Sequence, residues 1–283
     1  MELRDAAGLT EAEYLASYRP GDYPRPSVTV DMIVFAVNSI ANANMRKTEE
    51  KELQVLLIRR KNHPFMHQWA IPGGFVDIDE SIEDAAKREL WEETGIQNLY
   101  LEQLYTWGSV HRDPRMRVIS TSYMALVNRE DIQPKARDDA QAVAWFTVSL
   151  EQDTSGTDRL TFFNQEQNIT ISYDCSLENG QATFEHAAGE QLAFDHVQIL
   201  HTALIRLRNK IQYTSIAFSL MPEEFTLSAL QKVYESILGR KLLKANFRKK
   251  VAPMVVETGN KEVGVKYRPS KYYRYNDGYT AGF

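Results

Sequence analysis

The acidic stretch GGFVDIDESIEDAAKRELWEETGI, residues 73–96, constrains the fold of this chain more than any other segment. Glu89, Glu92 and Glu93 stand at positions i, i+3 and i+4, the spacing that places side chains on one face of a helix. Carboxylates crowded on one helical turn repel each other, which costs free energy unless a positive group lies among them. The pattern therefore predicts a helix with one glutamate-rich face that needs a positive group beside it.

The sequence also predicts where this helix begins and ends. Ser81 is expected to be the N-cap, with Asp84 three residues further on, and Gly95 is expected to end the helix. Two explanations of how the repulsion between these glutamates is relieved stay open. The carboxylates are solvated or paired with Lys87 and Arg88, or they bind a hard divalent cation such as Mg2+ or Mn2+, which prefers oxygen ligands.

The same segment matches every fixed position of the Nudix box, G-x5-E-x7-R-E-U-x-E-E-x-G-U with U aliphatic. The match begins at Gly74, passes through Glu80 and Arg88, and ends at Ile96. The preceding run QWAIPGG, residues 68–74, also looks like the usual approach to that box. The chain therefore resembles the Nudix hydrolase family.

That resemblance implies an α/β/α sandwich with a mixed sheet and hydrolysis of a nucleoside diphosphate derivative that depends on Mg2+ or Mn2+. Such metals neutralise charge on the bridging and leaving oxygens and activate a water molecule. The general base of the family comes from a box glutamate or from a later loop. The resemblance implies metal ligands at Glu89, Glu92, Glu93 and the carbonyl of Gly74, bracing catalytic roles for Glu80 and Arg88, and open candidates for the base at Glu130, Asp131, Asp138 and Asp139.

A run of arginines follows the box in WGSVHRDPRMRVIS, residues 107–120. Guanidinium groups bind phosphate oxygens in a bidentate manner, so Arg112, Arg115 and Arg117 are predicted to bind a diphosphate near the mouth of the fold. Phe75 is the aromatic residue that we place in the substrate site. Trp107 and Phe65 are further candidates for stacking on a nucleobase, and core or rim packing is the alternative for all three rings.

The RDPR pattern in this loop and RDDAQAVAWF, residues 137–146, resemble the Nudix branch that handles ADP-ribose and acts in NAD metabolism. ADP-ribose is therefore the favoured nucleotide-sugar diphosphate. Other nucleoside diphosphate derivatives fit the same features.

The charge of the chain is divided unevenly. The net charge is −5, yet from His201 onward Lys and Arg outnumber Asp and Glu by 15 to 6, whereas before it they are outnumbered by 32 to 18. An acidic body with a basic tail indicates two modules with different partners, and the basic one is a candidate for nucleic acid. A merely solvated basic surface is the alternative.

Composition limits the class of protein further. A single cysteine, Cys175, excludes an internal disulfide framework and a four-thiolate metal site. No run of about 18 apolar residues and no signal-like N-terminal pattern are visible, so we expect a soluble cytoplasmic protein without membrane contact.

The order of patterns predicts an α+β fold. Strands are expected at residues 27–37, 52–60, 99–107, 117–127 and 142–148, with a polar loop between the first two. A hairpin or meander is expected at 151–192. We place the Nudix domain at 1–194 and a connecting helix with a second domain at 195–283. Asp195 is the expected N-cap of that helix, whose apolar stripe indicates core packing or a dimer seam.

The basic tail predicts helix, turn, helix and hairpin. Thr226 is expected to cap the first helix and Gly239 to end it. Leu243, Phe247 and Val251 are expected to form the buried face of the second helix, which Pro253 closes, and two strands around ETGNK form the hairpin. This layout resembles a winged helix-turn-helix, which implies contacts with duplex DNA from Lys244, Arg248 and Lys249 on the second helix and Lys266, Arg268 and Lys271 near the hairpin.

The whole arrangement resembles the Nudix-related transcriptional regulators of NAD metabolism, which sense ADP-ribose or a related metabolite. Many of those regulators have a degraded box, whereas this chain keeps it intact. Three interpretations stay open: a metal-dependent hydrolase of ADP-ribose with a DNA-binding tail, an ADP-ribose-sensing repressor with little or no hydrolysis, and a hydrolase whose tail only dimerises. A homodimer is expected in the DNA-binding interpretations, because winged helices read palindromic sites in pairs.

Overall fold

A mixed sheet forms the centre of the protein. The computed structural model describes residues 3–19, 21, 24–40, 49–97, 99, 101–137, 140–152, 156–178, 180–261 and 269–279. In these residues the sheet has ten strands in the order β10-β9-β8-β7-β2-β1-β6-β5, with β3 paired to β2 and β4 paired to β1. Their bounds are β1 Ser27–Ile40, β2 Glu50–Arg60, β3 Trp69–Ala70, β4 Gly73–Phe75, β5 Glu102–Trp107, β6 Val118–Asn128, β7 Ala140–Gln152, β8 Asp158–Asn164, β9 Ile169–Glu178 and β10 Gln181–Gly189.

Strand β1 shows why the sheet is covered on both faces. It pairs parallel with β6 and antiparallel with β2, so it lies in the middle of the sheet. Its side chains alternate between the two faces of the sheet. Met32 and Val34 pack with the helix that carries the acidic segment, whereas Ile33 and Phe35 pack with the helices of the C-terminal half. The predicted α+β fold, with helices on both faces of a mixed sheet, is confirmed.

The five predicted strands are present, with different ends. The first two extend further than predicted, to Ile40 and from Glu50, because their pairing continues beyond the apolar run. Residues 41–48 of the predicted loop lie outside the described residues. The segment 151–192 forms a meander, in which β8, β9 and β10 extend the sheet from β7 by antiparallel pairing.

Helix α2 (Ile82–Thr94) carries the acidic segment and follows the short helix α1 (Glu11–Ser17). Ser81 caps it as predicted, because its hydroxyl accepts a hydrogen bond from the amide of Asp84. Gly95 ends it with φ of 74°, a left-handed conformation that favours glycine. One face of α2 is buried against the sheet, which leaves the glutamate face directed at β4 and the turn after it. We call this segment, residues 73–81, the β4 loop.

Helix α3 (His196–Lys210) connects the sheet to the C-terminal module. Its predicted apolar stripe is core, since Leu200, Leu204 and Leu207 are fully buried in one cluster with residues of both halves of the chain. Asp195 does occupy the N-cap position, but its side chain makes no cap hydrogen bond. Its carboxylate accepts hydrogen bonds from Arg112 instead.

The C-terminal module contains α4 (Leu227–Leu238), α5 (Lys244–Val251) and a small sheet in the order β11-β13-β12, with β11 at Phe225–Thr226, β12 at Val255–Lys261 and β13 at Lys271–Tyr275. Thr226 caps α4 and Gly239 ends it, as predicted. The predicted winged helix is therefore confirmed in its order of elements.

Two details of the predicted module were wrong. Leu243 is the N-cap of α5 and is 74% exposed, because the helix starts one residue later than the apolar spacing indicated, and only Phe247 and Val251 are buried. The ETGNK segment lies within β12, and its partner strand is β13. Among the described residues, every helix is too short or too polar to cross a membrane.

Candidate functional site

A pocket of about 360 Å³ opens where the start of β1, the β4 loop, α2 and the segment before α3 meet. The box contributes the residues from Gly73 to Phe75 together with the glutamate face of α2. The arginine loop contributes Arg112 and Arg115, the chain before α3 contributes Phe194, and α3 contributes its first residue, His196. Segments more than a hundred residues apart in sequence therefore form one site.

The β4 loop holds two of the three glutamates. The amide of Gly73 donates to Glu93 Oε2 at 2.7 Å, and Glu93 is 6% exposed. A Cβ added at Gly74 would lie 2.3 Å from the carboxyl carbon of Glu89, so the carboxylate of Glu89 rests against the bare backbone of Gly74. Burial raises the pKa of Glu89, even though Arg88 opposes that shift.

Arg88 is the positive group that lies among the carboxylates. Its guanidinium donates to both oxygens of Glu80 at 3.0 and 2.6 Å, to Glu89 at 2.8 Å and to Glu92 at 3.0 Å. It also donates to the carbonyl of Phe75 at 2.9 Å, which ties α2 to the β4 loop. Hydrogen bonds, chiefly to Glu80, raise the pKa of Arg88 further, so it stays charged.

The donor set of this face fits a hard divalent cation. Glu89 lies against the backbone of Gly74, Glu93 accepts a hydrogen bond from the amide of Gly73, and Glu92 shares Arg88 with Glu89, so the oxygen ligands that such a cation prefers lie close to one another. In the described part of the chain, no three acidic, histidine or cysteine side chains are already drawn together around a common point. Binding a cation would require some of these carboxylates to leave Arg88.

The three arginines of the loop have different surroundings. Arg115 is 40% exposed at the pocket, and its guanidinium pairs with the buried Asp113 at 2.8 Å. Arg112 lines the pocket floor but is 6% exposed, with two bonds to Asp195 at 2.9 and 2.8 Å. Arg117 is absent from the pocket lining and donates to the carbonyl of Ser109. Contacts of these arginines with a diphosphate stay a prediction.

A buried charge network lies beneath the pocket. Arg112 reaches Asp31 at 3.5 Å as well as Asp195, and Ser120 donates to Asp31 at 2.5 Å. Burial raises the pKa of Asp31 despite these partners. Burial would lower the pKa of Arg112, but the hydrogen bonds to Asp195 and the charges of Asp31, Asp195 and Asp113 together outweigh it, so the pKa is raised. The network joins β1, the arginine loop and the first residue before α3.

His196 fastens the start of α3 to the segment that leads into the box. Its Nδ1 accepts a hydrogen bond from the amide of Ile71 at 2.9 Å, and its Nε2 lies 3.6 Å from Asp31. Burial lowers the pKa of His196 to about 3, so the ring is neutral at pH 7. The amide of Ala193 donates to the carbonyl of Trp69 at 2.8 Å, which extends the same attachment.

Several members of the site were not predicted from the sequence, among them Asp31, Phe194, Asp195 and His196. Asp31 was visible as a carboxylate within an otherwise apolar strand, SVTVDMIVFAV, a position where a charge needs a buried partner. Phe194 adopts a positive φ of 52°, which the sequence does not show.

The candidates for the general base are now reduced. Glu130 is exposed in a short turn after β6, beyond Asn128, which pairs with Val37, whereas the pocket lies near Asp31. Six residues of strand separate the two positions, or about 20 Å, so Glu130 is wrong for this pocket of its own chain. Asp131 follows it in the same turn, and Asp138 and Asp139 lie outside the described residues.

The aromatic candidates also differ from one another. Phe75 lines the pocket and is 39% exposed. Trp107 is 7% exposed and donates from Nε1 to the Ser122 hydroxyl, so it is a core residue. Phe65 packs its edge on Phe194 with the ring centroids 4.7 Å apart.

A second candidate surface lies on α5. Lys244, Arg248 and Lys249 are exposed there, and Phe247 and Val251 anchor the opposite side of the helix. Lys271 on β13 pairs with Glu257 at 2.8 Å. Lys266 and Arg268 lie outside the described residues. Contacts of these side chains with DNA stay a prediction.

A carboxylate-lined pocket on a mixed sheet, followed by a winged helix packed on that sheet, defines a two-module Nudix class. The NUDIX domain model matches residues 38–162, and the model of the NrtR DNA-binding winged helix domain matches residues 217–275. The chain is 35% identical over 270 residues to the ADPR responsive transcriptional repressor NtrR of Acinetobacter baylyi, which covers 94% of this chain and 88% of that protein. The chain belongs to the Nudix family and, within it, to the NrtR group.

Other relatives support both modules. An ADP-ribose pyrophosphatase of Methanocaldococcus jannaschii is 37% identical over 127 residues, which cover 45% of this chain and 65% of that protein. The crystal structure of a MutT/nudix family protein from Enterococcus faecalis superposes with a TM-score of 0.73 at 31% identity and covers 95% of this chain and 94% of its own. Shewanella oneidensis NrtR complexed with a 27mer DNA gives a TM-score of 0.60 at 29% identity and covers 88% and 93%.

Proposed function

We propose that this protein is a DNA-binding transcriptional regulator whose Nudix pocket binds ADP-ribose or a closely related nucleoside diphosphate derivative. The observation that carries the proposal is the attachment of the pocket to the winged helix through α3. Relatives that match almost the whole chain support it, since one is an ADPR responsive repressor and another was crystallised with DNA. A protein with this role works where the DNA is, in keeping with the cytoplasmic location expected from the sequence.

Helix α3 connects the two sites physically. Its first turn carries His196, which binds the backbone of Ile71 just before the box, and it follows Asp195, which binds Arg112. Near its other end, Arg208 donates to the carbonyl of Ile237 at the end of α4 at 3.0 Å. A ligand that changes the surroundings of Arg112 would therefore act on the helix that carries the winged helix. The change in DNA affinity can be no larger than the differential affinity of the ligand for the two arrangements.

The DNA contacts would come from α5. Its exposed Lys244, Arg248 and Lys249 would neutralise phosphates or reach base edges in the major groove. A homodimer would present two such helices about 34–36 Å apart, or a multiple of it, on a palindromic site.

A second function, hydrolysis of the same ligand, is favoured by the intact carboxylate set. Glu89, Glu92, Glu93 and the carbonyl of Gly74 would hold a Mg2+ or Mn2+ ion, which when bound supplies charge neutralisation at the diphosphate and activation of water. Glu80 and Arg88 would hold the β4 loop against α2, as their mutual hydrogen bonds do now. Arg88 would take up part of the repulsion between the glutamates.

The decisive test of the regulator is a titration of the full chain against promoter DNA, its own upstream region and those of NAD-pathway genes, with and without ADP-ribose. We expect specific binding that ADP-ribose weakens or strengthens. No sequence preference at any salt concentration would refute the regulator, and specific binding that ADP-ribose leaves unchanged would refute the coupling.

Hydrolysis is tested separately with ADP-ribose and a panel of nucleoside diphosphate derivatives in Mg2+ or Mn2+. Glu92→Gln and Glu93→Gln are expected to lower turnover by at least about a hundredfold, the scale on which charge-stabilising groups act. Glu130→Gln is the matched control and should turn over like the unchanged protein. Equal turnover in all three variants would eliminate catalysis by the box.

A further inference from the structure

Phe194 occupies an unusual place in the pocket. Its backbone φ of 52° lies in the left-handed region, which is strained for a bulky residue and persists where the surroundings enforce it. The enforcement is visible on both sides, because Ala193 is bound to the backbone of Trp69 and His196 to that of Ile71. The ring of Phe194 lines the pocket and also packs against the small buried cluster of Ile58, Ala70, Ala140 and Ala193.

A guanidinium reaches both aromatic rings of the pocket. The Cζ atom of Arg115 lies 5.1 Å from the ring centroid of Phe75 and 5.9 Å from that of Phe194. The Cζ atom of Arg60 lies 5.0 Å from the same Phe194 ring. Phe65 packs its edge on Phe194 and supports it. Two rings with a flat cation near both form a site that recognises planar groups, because a nucleobase and a guanidinium offer a similar flat surface.

The alternative is that Phe194 is only a packing residue. Its buried neighbours Leu192 and Ala193 already fill the core at this point, and Phe194 itself is half-buried at the pocket. Phe194 also contacts a small buried cluster, so a packing role and a stacking role predict different results for ligand binding. The glutamate face and the arginines account for a diphosphate but offer nothing to a base, so the rings complete the recognition of a nucleotide.

We infer that Phe194, together with Phe75, stacks on the nucleobase of the ligand and so determines that the pocket takes a nucleoside diphosphate rather than a diphosphate alone. This inference rests on the proposed nucleotide ligand. Arg115, which is 40% exposed, moves from the rings to the ligand phosphates when the base enters. Because Phe194 directly precedes Asp195 and His196, the base contacts the chain at the point where α3 begins.

The test compares ADP-ribose with inorganic pyrophosphate, which has no ring, by calorimetry on the full-length protein. The variants are Phe194→Leu, which removes the aromatic face, Phe194→Trp, which restores one, and Phe163→Leu, an exposed position on β8, as the matched control. We expect Phe194→Leu to weaken ADP-ribose about 5-fold to 150-fold, the range for stacking on one base, with pyrophosphate affinity changed less than about twofold. Phe194→Trp should recover the affinity, with its indole fluorescence quenched by ADP-ribose but not by pyrophosphate.

The outcomes separate the two proposals. If the unchanged protein binds ADP-ribose and Phe194→Leu binds it equally well, the stacking role is refuted and the nucleotide pocket stands. An equal loss for ADP-ribose and pyrophosphate would assign Phe194 to the structure of the pocket and also refutes stacking. If the unchanged protein binds no nucleoside diphosphate, the proposed function itself fails, and the inference fails with it.

Discussion

Replacing Arg112 distinguishes a structural arginine from a ligand-binding one. Arg112→Met keeps the aliphatic stem and removes the guanidinium, which makes two bonds to Asp195 and lies 3.5 Å from Asp31. The side chains of Arg112 and Asp31 are only 6% and 9% exposed, so the change leaves a buried carboxylate without its partner. Breaking a buried pair in this way costs roughly 3–5 kcal/mol of unfolding free energy. A purely ligand-binding arginine would instead lose about 1.5–3 kcal/mol of ligand affinity with unchanged stability.

Urea unfolding at pH 7 measures the first quantity, and calorimetry with ADP-ribose measures the second. Arg117→Met is the matched control, since Arg117 is exposed and lies outside the pocket lining, and its unfolding free energy should stay within about 0.5 kcal/mol. The double variant Arg112→Met, Asp195→Asn should cost less than the sum of the two single changes, because both remove the same pair. Arg112→Met that unfolds within about 0.5 kcal/mol of the unchanged protein refutes the buried network as a source of stability.

Three further predictions follow from the box, the winged helix and the buried histidine. Gly74→Ala should keep the fold but abolish hydrolysis, because the new Cβ displaces the Glu89 carboxylate. Gly73→Ala should instead lower the melting temperature, because its Cβ would lie 2.0 Å from a backbone oxygen. Equal melting temperatures and equal activities of the two variants would contradict this prediction. Arg248→Ala should reduce the slope of log K for DNA against log salt by about 1, and an unchanged slope would remove this side chain from the interface. Because the pKa of His196 is lowered from its ordinary value of 6.5 to about 3 in the folded protein, stability is full above pH 6.5 and falls as pH drops toward 3. His196→Gln, which still accepts the Ile71 bond, should flatten that fall in urea unfolding between pH 7 and pH 4, and parallel curves would show that another group is responsible.

The elements that the sequence predicted well depend on local chemistry. Ser81 and Gly95 end α2 through interactions within a few residues, so their roles are visible in the motif itself. The apolar stripe of α3 is likewise a property of one segment, and Leu204 is buried as its spacing indicated. Leu243 failed for an equally local reason, since periodicity shows which side chains share a face but not at which residue the helix starts.

The rest of the site depends on long-range register. Asp31, Arg112 and Asp195 come from three segments that only the pairing of β1 with β6 and the attachment of residues 191–196 to β3 bring together. The sequence shows that the loop is rich in arginine, but it does not show which carboxylates those arginines pair with. The loop was therefore predicted to bind phosphate. Composition alone does not distinguish an arginine that can bind a ligand anion from one that, like Arg112, is already paired with two carboxylates.

The apolar core that the sheet shares with the winged helix has a consequence for domain recombination. Leu53 of the sheet, Leu204 of α3 and Leu230 of α4 belong to one apolar cluster, so the winged helix has no separate interior of its own. A recombination event that joined this C-terminal module to an unrelated Nudix domain would leave apolar surface uncovered on both pieces. We therefore expect a change on the sheet face that contacts α3 and α4 to require a matching change in the module.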